Sequence, residues 1–398
     1  MISTKEKKSQ WKVIMGNHAV SYAVKLARVQ VISAYPITPQ TQVVELLSEM
    51  VARKELNARF ITVESEHSAM AACIGSSITG ARSFTATSSH GLALMHEMLH
   101  WATGSRTPVV MAVINRALGP PWNIWSDQLD SLAQRDTGWI QIYAESNQEV
   151  LDSLLQAFKI AEQVYIPALV VLDAFILSHT AEPVEIYDQE LVDAYLPPLN
   201  LPFKIQPGLP QGYGNLVSPD LYFEFRSKIQ DAMEKALELF DRDAEEFSRI
   251  FGRRYGCLEE YQTEDADTVF VVAGAMSSSV KVAVNHLRQE GEAVGVVKLR
   301  VFRPFPYPHI RKALSGRKKV IVLDRNLSIG LGGIFGSEIR AALYGIKNPP
   351  MVFPYIIGVG GRDVTDTDVR GIYEEVRTLS QLPQKDGREN LLYWGLRK

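Results

Sequence analysis

Short apolar runs alternate with amphipathic stretches along the first 185 or so residues. The runs Val29–Ala34, Arg59–Val63, Ser83–Thr87, Pro108–Asn115, Trp139–Tyr143 and Pro167–Asp173 are mostly β-branched or otherwise apolar. Such runs suit strands covered on both faces. Helical spacing fills several of the gaps. Pro39–Arg53 puts Val43, Leu46, Leu47 and Met50 on one face, and Asn147 is placed as the N-cap of a helix ending near Gln163, with Glu149 in its first turn. Strands and helices alternating at this spacing predict an α/β unit built on a parallel sheet flanked by helices.

The pattern changes after about Ile186. Residues Leu196–Pro219 carry six prolines (197, 198, 202, 207, 210 and 219) together with several glycines. This reads as a linker or extended arm. A charged helix is expected at about Leu221–Arg249. A second α/β pattern then begins: strand Thr268–Val272, helix Ser277–Glu290, strands Ala293–Leu299 and Lys319–Leu323, helix Leu331–Tyr344 and strand Met351–Ile356. The expected division is therefore 1–186, 187–264 and 265–398. No repeat of solenoid period and no low-complexity tract is present.

Composition narrows the function classes. With 46% hydrophobic and 22% charged residues the chain can bury a sizeable core. Its net charge of −3 gives no electrostatic case for nucleic acid or a membrane surface as main partner. The basic start at Met1–Gln10 is not followed by an apolar secretory core, and no apolar stretch is long enough to span a bilayer, so a cytoplasmic protein is expected. The only cysteines, Cys73 and Cys257, exclude a disulfide framework. They also exclude an iron–sulfur cluster held by this chain alone, which needs about four thiolates.

Two motifs have competing readings. His96–His100 (HEMLH) matches the zinc-peptidase pattern, but no acidic residue or histidine lies between Trp101 and Trp125 to supply a third ligand. Its apolar neighbours Leu92, Leu94, Met95, Met98 and Leu99 favour a packed helix carrying structural histidines. Gly330–Gly336 (GLGGIFG) follows a strand as a dinucleotide loop would, though with irregular spacing, and reads as a tight turn beside a closely packed helix. The glycines at 358, 360 and 361 read the same way.

The chemistry gathers after successive strands. Tyr35-Pro36-Ile37-Thr38-Pro39 leaves the first, Glu64-Ser65-Glu66-His67 the second, Thr87-Ser88-Ser89-His90-Gly91 the third and Asn115-Arg116-Ala117 the fourth. Each taken alone is an ordinary helix entry, with Ser65 and Ser88 as caps. Together, polar loops at the carboxyl edge of a parallel sheet define one site.

The runs SAYPITPQTQVVE (33–45), ESEHSAMAA (64–72) and TATSSHGLALM (85–95), with the stretch 115–139, resemble the alpha subunits of 2-oxoacid:ferredoxin oxidoreductases. RVFRPFP (300–306), LDRNLSIG (323–330) and GVGGRD (358–363) fit the same family, so the resemblance covers nearly the whole chain. It implies a thiamine-diphosphate pyrimidine-binding domain followed by a transketolase C-terminal-like domain. It assigns Glu66 to the aminopyrimidine N1′ of the cofactor, where a carboxyl group promotes the imino tautomer. Glu64 stays open as the alternative. It assigns Thr38 and Arg116 to the carboxylate of a 2-oxoacid, for which a guanidinium offers a bidentate fork. Tyr35, Pro36, Ile37, Ser89 and His90 are expected beside the cofactor, with Trp122 and Ile124 beside the substrate side chain.

No Gly-Asp-Gly stretch is present to hold Mg and diphosphate, and no cysteine cluster is present to carry electrons away. The resemblance places these on partners: a beta subunit with diphosphate, Mg and a [4Fe-4S] cluster, a ferredoxin-like delta subunit, and a gamma subunit linked to CoA. The implied reaction converts a 2-oxoacid, CoA and oxidised ferredoxin to acyl-CoA, CO2 and reduced ferredoxin, with pyruvate as the expected substrate. Trp122, the run Asp127-Gln128-Leu129-Asp130 and His90 depart from the pyruvate-type pattern. They point to the alternative of a branched-chain or aryl 2-oxoacid, such as 2-oxoisovalerate or phenylglyoxylate. NAD as final acceptor and a non-catalytic scaffold subunit are the remaining alternatives.

Overall fold

A computed structural model describes residues 9–380 and 392–397. Of the basic start at Met1–Gln10, residues 1–8 lie outside them. Two sheets organise the chain. The first has seven strands in the order Val301–Arg303, Ile140–Tyr143, Ala168–Asp173, Val110–Asn115, Ser83–Thr87, Val31–Ala34 and Arg59–Thr62. All neighbours in it are parallel except Val301–Arg303, which runs antiparallel to Ile140–Tyr143. The second has six strands in the order Leu392–Tyr393, Met351–Ile356, Lys319–Asp324, Thr268–Val272, Val294–Leu299 and Leu258–Tyr261, the last of them antiparallel.

The apolar runs became strands because both faces are covered. Ser83–Thr87, Val110–Asn115 and Ala168–Asp173 are buried at every position. Thr268–Val272 and Met351–Ile356 have the bounds expected from their pattern. The helix Asn147–Val164 is capped by Ser146, whose Oγ accepts from the Glu149 N–H, and not by Asn147. Asn147 instead donates its side-chain amide to the carbonyls of Ile14 and Thr180. Pro219 belongs to the long helix and not to the arm: it occupies the first turn of Pro219–Phe251, where it forfeits no hydrogen bond. This 33-residue helix buries Ile229, Met233, Ala236, Phe240, Phe247 and Phe251 in the core of the first sheet.

A buried charge cluster joins the two sheets. Glu149 accepts from Lys298 Nζ at 3.0 Å and from Arg300 Nε at 2.9 Å, and all three side chains are at most 3% exposed. Burial opposes ionisation of Glu149, but the two cations more than offset it and hold its carboxyl below the usual range. Removing Glu149 leaves Lys298 with Glu145 and Glu259 but takes from the buried Arg300 the carboxylate it is paired with. Glu149→Ala is expected to cost about 3–5 kcal/mol at neutral pH, read as a lower urea midpoint of the chain. A depressed carboxyl stabilises the fold above its unfolded pKa and loses that contribution as pH falls through the folded one. The gap between variant and parent should therefore narrow below about pH 4.

Candidate active site

The first sheet has a topological switch point. From Val31–Ala34 the chain goes to Arg59–Thr62 on one side, then crosses to Ser83–Thr87 on the other. A crevice is expected at the carboxyl ends of strands that diverge in this way. The polar loops lie there.

The loop after Val31–Ala34 is held by its carbonyls. Gln40 Nε2 donates to Tyr35 O at 2.8 Å, Asn17 Nδ2 to Pro39 O at 2.8 Å and Arg116 NH1 to Thr38 O at 2.6 Å. These bonds leave the Tyr35, Pro36 and Thr38 side chains exposed and Ile37 half-buried. The loop is thus rigid while its side chains stay available.

The two candidate glutamates separate. Glu64 is exposed, and its carboxylate accepts from Ser68 Oγ, which lowers its pKa. Glu66 opens the helix Glu66–Ile78 and is buried, 6% exposed. Among the described residues no hydrogen bond is made to its carboxyl. Its oxygens lie across Gly91, where a Cβ would run into Oε1 and come within 2.6 Å of Thr87 Oγ1. What a side chain at 91 would disturb is therefore the present placing of the Glu66 carboxyl and the Thr87 hydroxyl, not the torsion angles of the residue. Ser33 Oγ, Thr85 Oγ1, Thr87 Oγ1 and Ser88 Oγ are buried without hydrogen-bond partners among the described residues. Ser88 caps its helix by position only, whereas Ser65 accepts from the Ser68 N–H.

Arg116 directly follows the strand Val110–Asn115 and is 5% exposed. Burial lowers its pKa, while Asp130 and Glu66 nearby act in the opposite sense. Its NH2 lies 3.5 Å from His90 Nδ1. His90 is exposed and its Nε2 accepts from the Gly119 N–H at 3.0 Å. Ser89 is buried with a φ of +45°, and its Oγ donates to Ala117 O at 2.6 Å. Positive φ is costly for a serine and persists only where the surroundings impose it. Trp122 is 78% exposed and Ile124 half-buried, on a loop that leans on the second sheet. Asn123 Nδ2 donates to Gly360 O at 3.0 Å, and a Cβ at Gly361 would overlap Trp125. Both glycines have positive φ, so this turn serves close packing.

The structure thus brings Glu66, Arg116, Thr38, Ser89 and His90 to one edge. Asp130, read in the sequence only as part of the 127–130 run that bears on the substrate side chain, lies beneath the edge and accepts backbone N–H groups from Ser89 and Arg116. Its signal was the departure of that run from the pyruvate-type pattern, which pointed to the substrate side chain and not to the two loops it holds.

Neither misleading motif contributes. His96 Nδ1 is 2.6 Å from Gln134 Oε1, and the His96 and His100 rings pack edge-on at 5.0 Å. Glu97 points outward toward His67. Among the described residues no third metal ligand joins the two histidines. In the 330–336 loop, the N-terminus of helix Ile334–Leu343 already holds an anion. Asp324 accepts from the Phe335 and Gly336 N–H groups at 2.8 and 2.9 Å, and Asn326 accepts from the Ile334 N–H. The Ile334, Phe335 and Gly336 amides are therefore not available to a phosphate. A cleft of about 600 Å³ opens elsewhere, beside Arg135, Met233, Leu237, Phe305 and Tyr307, and none of the candidate residues lines it.

The carboxyl edge of the first sheet thus carries a buried carboxyl, Glu66, and a buried guanidinium, Arg116, among polar loops. Residues 22–243 match the family model "pyruvate flavodoxin/ferredoxin oxidoreductase, thiamine diP-bdg", and residues 266–369 match "pyruvate:ferredoxin oxidoreductase core domain II". The chain is 50% identical over 377 residues to the ketoisovalerate oxidoreductase subunit VorA of Pyrococcus horikoshii, covering 94% of this chain and 96% of the relative. It is 47% identical over 376 residues to the pyruvate synthase subunit PorA of Methanothermobacter thermautotrophicus, covering 94% and 96%. The 2-oxoglutarate:ferredoxin oxidoreductase structure from Magnetococcus marinus shares the fold, with a TM-score of 0.75 at 22% identity over 93% of this chain and 65% of that one. A split-gene transketolase shares it more loosely, with a TM-score of 0.54 at 14% identity over 92% of this chain and 99% of that one. The chain belongs to the 2-oxoacid:ferredoxin oxidoreductase family, an oxidoreductase family with a thiamine-diphosphate-binding domain. No described helix is long and apolar enough to cross a membrane.

Proposed function

We propose that the chain is the alpha subunit of a cytoplasmic, multisubunit 2-oxoacid:ferredoxin oxidoreductase and supplies the pyrimidine half of its thiamine-diphosphate site. The carrying observation is the buried Glu66 carboxyl, without a hydrogen-bond partner among the described residues and flush against Gly91, with Arg116 tied to the Thr38 carbonyl beside it. A planar aminopyrimidine needs such a carboxyl and a flat backbone surface, so the residues fit the group. Bound there, thiamine diphosphate supplies the electron sink for loss of CO2 from a 2-oxoacid. Glu66 holds a proton at the ring nitrogen N1′. Tyr35, Pro36, Ile37, Ser89 and His90 shape the face around it. Arg116 and Thr38 bind the substrate carboxylate, and Trp122 and Ile124 border its side chain.

Residues 1–186 form the pyrimidine-binding unit in this reading, 187–264 the arm and long helix, and 265–398 the transketolase C-terminal-like unit. Beta, gamma and delta subunits supply the Mg–diphosphate half, the [4Fe-4S] clusters and the CoA site, and ferredoxin takes the electrons. Pyruvate is the substrate that the motif set supports. The 50% identity to ketoisovalerate oxidoreductase subunits, with the departures at 118–130, favours a second reading, a branched-chain acid. Turnover of the native complex with CoA on a panel of 2-oxoacids, read by reduction of a low-potential dye, separates the two. Failure on every acid, with cofactor and clusters bound, would sink both. Trp122→Ala is expected to change the ratio of kcat/KM for 2-oxoisovalerate and pyruvate by about 10-fold or more. An unchanged ratio would remove Trp122 from the pocket.

A further inference from the structure

Arg116 and Ser89 lie on different loops, after different strands, yet one carboxylate holds both. Asp130 Oδ2 accepts from the Ser89 N–H at 2.8 Å and from the Arg116 N–H at 3.0 Å, while Oδ1 accepts from the Ser131 N–H at 2.7 Å. Asp130 is 1% exposed. Burial pushes its carboxyl up to about 7, and the three N–H donors act in the opposite sense. Ser89 keeps its positive φ where its N–H meets this carboxylate and its Oγ meets Ala117 O.

The segment carrying Asp130 is itself anchored to the second sheet. The Gln128 N–H donates to Arg325 O at 3.0 Å, and its side-chain amide to Ala273 O at 3.3 Å. Asp127 caps the turn by accepting from the Leu129 N–H at 2.8 Å. Asp130 is therefore a fixed point, referenced to the C-terminal part of the chain, from which two loops of the site are hung.

We propose that Asp130 is a positioning residue for the reaction: it sets the place of the Arg116 guanidinium, and through it the affinity for the 2-oxoacid carboxylate. This rests on the proposed role of Arg116. Asp130 touches no substrate, so its effect must pass through Arg116. Without the carboxylate the Arg116 N–H loses its acceptor, and the side chain that leans on Thr38 O shifts with its backbone. Misplacement of a binding group by about 1 Å can cost about 100-fold in rate.

The test is a double-mutant cycle in the assembled complex, using the 2-oxoacid that the panel selects. Asp130→Ala is expected to lower kcat/KM by roughly 10- to 100-fold, mainly through KM. Asp130→Asn, whose amide oxygen can take the Oδ2 place and serve both loops, should fall between Asp130→Ala and the parent. Should Asp130→Ala fail to fold, the Asp130→Asn arm carries the cycle. The decisive reading is coupling: Asp130→Ala combined with Arg116→Ala should be no worse than Arg116→Ala alone, within about 3-fold. If the two losses multiply, Asp130 acts on folding or elsewhere, and the proposal is overturned while the Arg116 reading stands. If Arg116→Ala alone leaves kcat/KM unchanged, both fall together.

Discussion

Glu66→Gln is expected to lower kcat by roughly 100- to 10,000-fold, the range over which a positioned proton-transfer group contributes, with little change in stability. Among the described residues no hydrogen bond is made to the Glu66 carboxyl, so its contribution to the fold is limited to its attraction for the nearby Arg116 guanidinium, which Asp130 shares. The amide keeps the volume against Gly91 but cannot hold a proton as a carboxyl does. The measurement is kcat of the assembled complex at saturating thiamine diphosphate, beside the thermal midpoint. Glu64→Gln is the control. Its side chain faces solvent and bonds Ser68, so turnover should stay within about 2-fold of the parent. A Glu66→Gln complex with full turnover would return the scaffold reading. A large loss from Glu64→Gln would move the role to that residue.

How much of this was legible in sequence depended on the range of the interactions. Buried parallel strands such as Val110–Asn115 and Thr268–Val272 announced themselves as continuous apolar runs, because both faces are covered. The pair Ser9–Met15 and Ala181–Tyr187 did not. Each of those strands mixes polar and apolar positions, and their partners are more than 160 residues apart in the chain. Leu258–Tyr261 and Val301–Arg303 are short antiparallel edges, and Val301–Arg303 crosses to the other sheet, which no local pattern encodes. The helix Asp366–Leu379 was missed although its signal was present: Thr365 and Asp368 form a capping box, and Val369, Ile372, Tyr373 and Val376 follow at helical spacing. At the site, residue types and strand order placed Glu66, Arg116 and Thr38 on one edge. They did not place the Glu64 side chain in solvent, nor Asp130 beneath two loops. Those facts depend on side-chain direction and on backbone N–H groups, which carry no residue identity.

Gly91→Ala is expected to lower kcat/KM by about 100-fold while leaving stability nearly unchanged or slightly raised. On an ordinary helix this substitution gains up to about 1 kcal/mol, and Gly91 lies within the helix Ser89–Leu94. The added methyl has no room here. It would overlap Glu66 Oε1 and lie 2.6 Å from Thr87 Oγ1, so the carboxyl must turn away. The same position also forms part of the flat surface on which the proposed pyrimidine lies. Helix propensity and site geometry therefore pull in opposite directions at one residue, and the two readouts separate them. A thermal midpoint at or above the parent's, with turnover lost, shows that glycine is kept for the approach of Glu66. A lowered midpoint with turnover retained would show that the methyl is absorbed by the helix and that the carboxyl does not need this face.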